Sequence, residues 1–405
     1  MAHSISMDEA AIRAKAGDAE AQYALSSVLH QRGEWDASMR WLRLAAAQAL
    51  VPAQLTLATF LMDGRPCPRD LEQAMALLQP LTAADTRANL LLSELHGFAA
   101  LGIGDRDAGL KYLFAAARRG DAGALRQLAM LGVCHRRWDL VRPLLDAAAR
   151  HGDAGAAFAL AGPHAEGIGG VEGIGGSAPQ VLDWPSVEQA LPVLAGDLPL
   201  PAALTLSQSP LIRRLPGLIH PLVLDMIVNV AAPLVRRSQI VDARTGDVRA
   251  DPMRNSSHVT LGPRQHDHVL EALERCIGRV GGTSPLNGEF LQILRYRAGE
   301  EFRPHVDYFN DGGAGTHRSL ADGGQRVQTA LLYLNDGYRG GGTCFPRLEL
   351  TVEPRRGDLL HFHNVGADGR GHQDSLHAGM PVTSGEKWLL SQWIRSERYP
   401  PRVTW

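Results

Sequence analysis

Cysteine is scarce in this chain: four in 405 residues, Cys67, Cys134, Cys276 and Cys344, with no two at a paired spacing. That scarcity argues against a disulfide framework or a zinc ribbon and points to a reducing compartment. Long apolar runs are missing too. No stretch of about 18 apolar residues occurs. The opening Met-Ala-His-Ser-Ile-Ser-Met-Asp-Glu-Ala-Ala has neither the basic region nor the apolar core of a secretory leader. Nor is either charge in excess, with 41 Lys and Arg against 43 Asp and Glu, net −2. Without a one-signed field, no recruitment of nucleic acid or of an acidic membrane is expected. Together these absences predict a cytoplasmic protein with no nucleic-acid and no membrane partner. At 405 residues the chain exceeds one ordinary domain and is expected to form two or three.

The first part is repetitive. From residue 8 to about 162 the chain is rich in Ala and Leu. A short unit recurs around Ala21, Ala53, Ala88, Ala124 and Ala156, at intervals of 32, 35, 36 and 32 residues. Periods in this range belong to helix-pair solenoids. A Gly-Asp step opens several units, as at Gly17-Asp18, Gly120-Asp121 and Gly152-Asp153, which suits a glycine helix stop followed by an Asp N-cap. The pattern resembles tetratricopeptide-type repeats of the Sel-one-like class. Such arrays present a concave surface to a protein or peptide; packing as a scaffold against the rest of the chain is the alternative. The stretch 163–209 follows as a Gly/Pro-rich linker and connector, with Glu-Gly-Ile-Gly-Gly duplicated at 166–170 and 172–176.

The chemistry lies further on. His305 and Asp307, in Arg-Pro-His-Val-Asp-Tyr-Phe, are followed by His377 and, ten residues later, by Lys387. Two imidazoles and a carboxylate can occupy one face of an octahedral Fe(II) ion and leave the opposite face open. Residues i and i+2 of a strand point to the same side, so His305 and Asp307 can reach one metal. A buried ammonium needs an anion, so Lys387 calls for an acidic co-substrate, with the distal carboxylate of 2-oxoglutarate the candidate. A structural zinc site on the same three ligands would need a fourth Cys or His, and none lies at motif spacing.

Apolar spacing predicts helices over Pro221–Leu234 and His266–Arg279. Alternation over 291–296, 329–334, 358–363 and 387–395 predicts strands, and short antiparallel strands in this number close naturally as a double-sheet jelly roll. On the last of them Lys387, Leu389, Ser391 and Trp393 share one face, which is expected to point inward. The fold class is therefore α+β multidomain: an N-terminal helical repeat solenoid, then a double-stranded β-helix, or jelly-roll, catalytic domain with flanking helices.

Several segments carry a closer likeness. Leu-Gln-Ile-Leu-Arg-Tyr-Arg-Ala-Gly (291–299), Thr-Ala-Leu-Leu-Tyr-Leu-Asn (329–335), Arg-Gly-Asp-Leu-Leu-His-Phe (356–362), Ser-Leu-His-Ala-Gly-Met-Pro-Val (375–382) and Gly-Glu-Lys-Trp-Leu-Leu-Ser-Gln-Trp-Ile (385–394) resemble the catalytic domain of prolyl 4-hydroxylases. With Arg-Arg-Ser-Gln-Ile-Val-Asp-Ala-Arg-Thr-Gly (236–246) and Met-Arg-Asn-Ser-Ser (253–257), the likeness covers 210–397. The organisation it implies is repeats over 1–162, linker and connector over 163–209, a dioxygenase domain over 210–397 and a tail over 398–405.

The resemblance implies an Fe(II)- and 2-oxoglutarate-dependent dioxygenase that uses O2, with ascorbate as a further ligand. It implies His305, Asp307 and His377 as metal ligands, Lys387 as the co-substrate anchor, and Tyr296 and Thr329 as hydrogen-bond donors to the same carboxylate. Core tyrosine and strand threonine are the competing roles for the last two. Related halogenases lack the carboxylate held here by Asp307, so hydroxylation is the expected outcome. A prolyl residue in a protein or peptide is the expected substrate. Hydroxylation of a free amino acid or metabolite is one alternative, and a repeat-based interaction module without turnover is another. Thr343 stands where many relatives carry an acidic residue, which leaves substrate contacts on that strand open. His361 and His363 are assigned to packing or the cavity wall, His372 to a loop, and the Gly-rich insertion 310–326 to a lid, with a surface loop as the alternative.

Overall fold

The computed structural model describes residues 7–99, 103–161, 182–241, 248–250, 253–262, 265–310 and 314–399. The duplicated linker motif and the last residues of the tail lie outside them. The chain forms two compact units, and along the sequence the division falls between Ala124 and Leu125.

The first unit is built from helices α1 (Met7–Lys15), α2 (Ala19–Gln31), α3 (Trp35–Ala47), α4 (Val51–Asp63), α5 (Leu71–Leu78), α6 (Thr86–Gly97) and α7 (Arg106–Arg118), with the start of α8 (Ala122–Cys134). The recurring motif is a capping device. Asp18 accepts the N–H of Ala21, Asp85 that of Ala88, Asp121 that of Ala124 and Asp153 that of Ala156, at 2.7–2.9 Å. Each recipient alanine is buried, as is Ala53. An alanine there satisfies a helix end and fits against the neighbouring helix without adding bulk.

Helices α6 and α7 approach each other closely. A Cβ on Gly109 would lie 2.7 Å from the Cα of Gly97, and Ser93 Oγ donates to the Gly109 carbonyl at 2.8 Å. Gly109→Ala is therefore expected to destabilise this unit by about 1–3 kcal/mol through overpacking, despite the better helix propensity of alanine. A thermal melt checks it, and an unchanged midpoint would refute the close crossing.

The second unit starts earlier than the repeat pattern suggests. The rest of α8, α9 (Trp138–Arg150) and α10 (Ala154–Ala161) pack with the later elements, so the last repeat belongs to this unit's core. The Trp138 and His220 rings meet edge to face at 5.1 Å, and Gln127 Oε1 accepts the His268 N–H at 3.2 Å. The connector holds α11 (Trp184–Leu194), whose following turn offers the Gly196 and Leu198 carbonyls to Arg275 and Arg279.

The main sheet is antiparallel and eight-stranded. Its spatial order is β1 (Leu204–Gln208), β2 (Leu211–Leu215), β13 (Leu359–His363), β9 (Arg326–Tyr333), β16 (Glu386–Arg395), β7 (Gln292–Arg297), β6 (Ser257–Thr260) and β3 (Arg236–Arg237). The expected start at 210 thus cuts a hairpin that is part of the sheet. Opposite lie β12 (Leu350–Val352), β11 (Thr343–Phe345), β14 (His377–Gly379) and β8 (Phe302–His305). Two ribbons complete the set, β4 (Gln239–Val241) with β5 (Val248–Ala250) and β10 (Arg339–Gly340) with β15 (Val382–Ser384). Ile212, Leu294, Tyr296, Leu331, Tyr333, Leu360, Phe362 and Leu389 of the main sheet share one core with Phe345, Val352 and Val382. This is the double-sheet closure that the alternation predicts.

Helix α13 (His268–Gly281) packs on the outer face, and helix α12 (Pro221–Ala231) lines a pocket together with it. Gln328 on β9 donates to the Gly281 carbonyl at 3.0 Å, and Gln392 on β16 to Glu274 Oε1 at 3.3 Å. Strand alternation then sends Thr329 and Leu331 inward. Where the chain enters α13, His266 Nε2 lies 3.2 Å from Glu271 Oε2 and 3.7 Å from Glu274 Oε2. Burial works against a charge on His266, but Glu274 and then Glu271 raise its pKa to about 9. Burial likewise raises Glu274 to about 7. In both cases the folded state holds the proton more tightly than the unfolded one. Their stabilisation is complete at low pH and is lost as pH rises through about 7 and then about 9. Stability is expected to fall across that window more steeply in the wild type than in a His266→Gln/Glu274→Gln variant, as denaturant titrations at several pH values will show. Equal slopes would refute it.

Candidate metal centre and co-substrate pocket

Three donor groups converge between the sheets. His305 closes β8 and pairs directly across to His377, the first residue of β14, which brings the ring centroids to 4.3 Å. Asp307 sits in the bend just past β8 rather than on the strand. Its Oδ1 is 3.6 Å from His305 Nε2 and its Oδ2 is 3.5 Å from His377 Nε2. The three ligand atoms lie within 4.8 Å of one another.

Both imidazoles are turned for coordination. Nδ1 of His305 faces the Arg303 carbonyl at 2.7 Å and Nδ1 of His377 the Ser375 carbonyl at 3.0 Å. With Nδ1–H donating to a carbonyl, each Nε2 keeps a lone pair for a metal. Burial, with His377 alongside, lowers the His305 pKa to about 4, so that ring is neutral near pH 7. Burial opposes ionisation of Asp307, yet the two imidazoles and the Thr329 hydroxyl hold its carboxyl below the usual range. Phe302 stacks on His305 at 3.6 Å, and Phe362 packs edge-on to His377 at 4.7 Å. Two imidazole nitrogen donors, one oriented carboxylate and apolar walls fit an octahedral Fe(II) with an open face.

Lys387 lies in the same pocket, as its inward position on β16 predicts. It is 2% exposed, and its Nζ donates to the Gly341 carbonyl at 2.6 Å. It stands 5.0 Å from the Tyr333 ring centroid and 5.5 Å from that of Tyr296. Among the described residues no carboxylate forms an ion pair with it, and burial lowers its pKa to about 7. Gly341 is fixed as glycine here, with φ +70° and a site for Cβ only 3.1 Å from Lys387 Cδ. Tyr296, Thr343, Leu331, Leu389, Ser391 and Trp393 line the same cavity.

Thr329 departs from its expected place beside the co-substrate carboxylate. Its hydroxyl donates to Asp307 Oδ2 at 2.6 Å and accepts from Asn364 Nδ2 at 2.9 Å. The threonine that does line the pocket is Thr343, whose hydroxyl lies 2.5 Å from that of Tyr333. Asn364 and Tyr333 went unread in the sequence, where only the absence of an acidic residue marked Thr343. His361 is on the outer face of β13, 3.0 Å from Gln328 Oε1, and serves packing. His372 caps a short turn through Nδ1 and meets Ser209 Oγ at 2.9 Å. Within 310–326, residues Ala314–Ala321 form helix α14 rather than a loop, and 311–313 lie outside the described residues. Arg395 donates to the carbonyls of Ser319 and Asp322 at 2.8 and 2.9 Å, fastening the end of that helix to β16.

A jelly roll with this donor set defines a class, and residues 291–395 match the family model of the 2OG-Fe(II) oxygenase superfamily. The chain is 33% identical over 205 residues to prolyl 4-hydroxylase 1 of Arabidopsis thaliana, covering 47% of this chain and 71% of that protein. It is 33% identical to prolyl 4-hydroxylase 5 of the same plant over 43% of this chain and 65% of that one. Among solved structures it is similar to the viral collagen prolyl hydroxylase of Paramecium Bursaria Chlorella virus-1, with 25% identity, TM-score 0.35, 45% of this chain and 95% of that one. It is also similar to a Sel1 repeat protein from Oxalobacter formigenes, with 25% identity, TM-score 0.26, 29% of this chain and 92% of that one. The chain belongs to the prolyl 4-hydroxylase family. It is an iron(II)- and 2-oxoglutarate-dependent dioxygenase, in a family where ascorbate is often involved.

Proposed function

We propose that this protein hydroxylates a prolyl residue in a protein or peptide, with His305, Asp307 and His377 holding the iron and Lys387 holding 2-oxoglutarate. One observation carries the site assignment: a buried ammonium without a carboxylate partner among the described residues shares a pocket with three convergent metal donors. Fe(II), when bound, supplies the coupled oxidation of 2-oxoglutarate and of a substrate C–H bond. The protein supplies orientation. Lys387 pairs with the far carboxylate of the co-substrate in a water-poor cavity, where the attraction exceeds its value in water. Tyr296, lining the same cavity, offers its hydroxyl to that carboxylate. Leu294, Leu331 and Leu389 exclude water around the reacting centre.

A prolyl substrate is supported by the names of the relatives, and a polypeptide by the attached helical repeat, whose surface suits a chain more than a metabolite. Incubation with iron(II), 2-oxoglutarate and a panel of proline-containing peptides and free amino acids tests this by mass spectrometry. Gain of one oxygen on a peptide proline is the expected result. Oxidation of a free amino acid alone would overturn the polypeptide substrate while leaving the dioxygenase.

A further inference from the structure

The donor set is braced from behind, and the braces meet at one residue. Asn364, just past β13, is fully buried. Its main-chain N–H donates to Val327 O at 2.8 Å, and its carbonyl accepts from the His372 N–H at 2.9 Å and from Ser375 Oγ at 3.4 Å. Ser375 is the residue whose carbonyl takes Nδ1 of His377. The side chain leads the other way, through Nδ2 to Thr329 Oγ1 and from there to Asp307 Oδ2.

The polarity of this chain is what matters. A hydroxyl has a single proton to give, and an amide nitrogen can only donate. Asn364 Nδ2 therefore occupies a lone pair of Thr329 Oγ1 and leaves that proton directed at Asp307. The arrangement strands Asn364 Oδ1, which is buried and makes no hydrogen bond among the described residues. An orphaned acceptor calls for an explanation, and a positioning role supplies one.

We propose that Asn364 is a positioning residue for the metal centre. It sets the donor direction of the Asn364–Thr329–Asp307 chain, engages Asp307 Oδ2, and leaves Oδ1 as the oxygen that faces the metal. This rests on the metal-ligand assignment made above.

The test uses full-length Asn364→Leu, Thr329→Val and the double variant, titrated with Mn(II) while the electron paramagnetic resonance signal of the free ion is followed. Melting midpoints without metal are recorded alongside. Each single variant is expected to bind Mn(II) about 10–100-fold more weakly, the usual cost of losing a group that orients a ligand. The double variant is expected to be no worse than the weaker single one, because both break the same chain. Asn364→Leu with affinity within about twofold of wild type, or losses that multiply in the double variant, would overturn the proposal. A loss of affinity that follows the melting midpoint and recovers on cooling would also overturn it, in favour of a folding role. Wild-type protein that binds no Mn(II) would overturn the metal centre itself, and this inference with it.

Discussion

Replacing Lys387 with methionine is expected to change two measurements in opposite directions. Truncating one partner of a buried charge pair costs about 2–5 kcal/mol of binding, so affinity for 2-oxoglutarate should fall by about 30-fold or more. Without ligand the same substitution should raise the melting midpoint, because the wild type buries a cation that no carboxylate offsets among the described residues. A loss of ligand affinity together with a loss of stability would mean that Lys387 is a structural group. The lysine also sets a pH dependence. Burial lowers its pKa from 10.5 to about 7, so the unfolded chain holds a proton that the ligand-free fold releases. Its penalty is therefore full below about pH 7 and is relieved as pH rises toward 10.5, opposite in sign to the His266–Glu274 group. Co-substrate affinity should run the other way and weaken by up to about tenfold per pH unit above 7, since the carboxylate needs the ammonium. Isothermal titration of wild type and variant across this range checks both signs.

The second large effect concerns the donors. His305→Ala, Asp307→Ala or His377→Ala is expected to lower turnover by on the order of 10³-fold or more, because each removes one of three ligands from an open-faced site. The fold should survive, since the pairing of β8 with β14 is made by the main chain. His361→Ala is the informative comparison. That histidine is fully buried but lies on the outer face of β13 with Gln328 and Arg213, so its loss should cost stability and leave metal binding intact. Iron content and melting midpoint, measured on the same preparations, separate the two outcomes.

Much of this site could be read from residue spacing. The inward face of the last strand needed only the periodicity of two that every strand imposes, whereas the His-x-Asp pair and the later histidine were marked by residue type and by the family likeness, since Asp307 lies past the end of β8. The repeat-defining alanines were equally legible, because they recur with the repeat period, four of the five three residues after an aspartate. What could not be read depends on register between distant segments. Thr329 is a plausible partner for any nearby carboxylate until the pairing of β9 with β13 sets it opposite Phe362 and within reach of Asn364. The direct pairing of His305 with His377 is likewise a property of two strands far apart in sequence. The division between compact units falls elsewhere than the repeat pattern for a related reason. A repeat pattern shows where helices end, and not which core their apolar faces join, so α9 and α10 read as solenoid but pack with the catalytic unit. β2 carries too few residues for its alternation to stand out, although it joins β1 to the rest of the main sheet.

The most direct test of the central claim is the conversion of 2-oxoglutarate to succinate by the full-length protein, measured with and without added iron(II) and oxygen, beside His305→Ala and Lys387→Met. The account predicts succinate from the wild type only when iron and oxygen are both present, none above background from His305→Ala, and recovery of Lys387→Met only at much higher 2-oxoglutarate. Iron-independent succinate, or equal rates from wild type and His305→Ala, would contradict it.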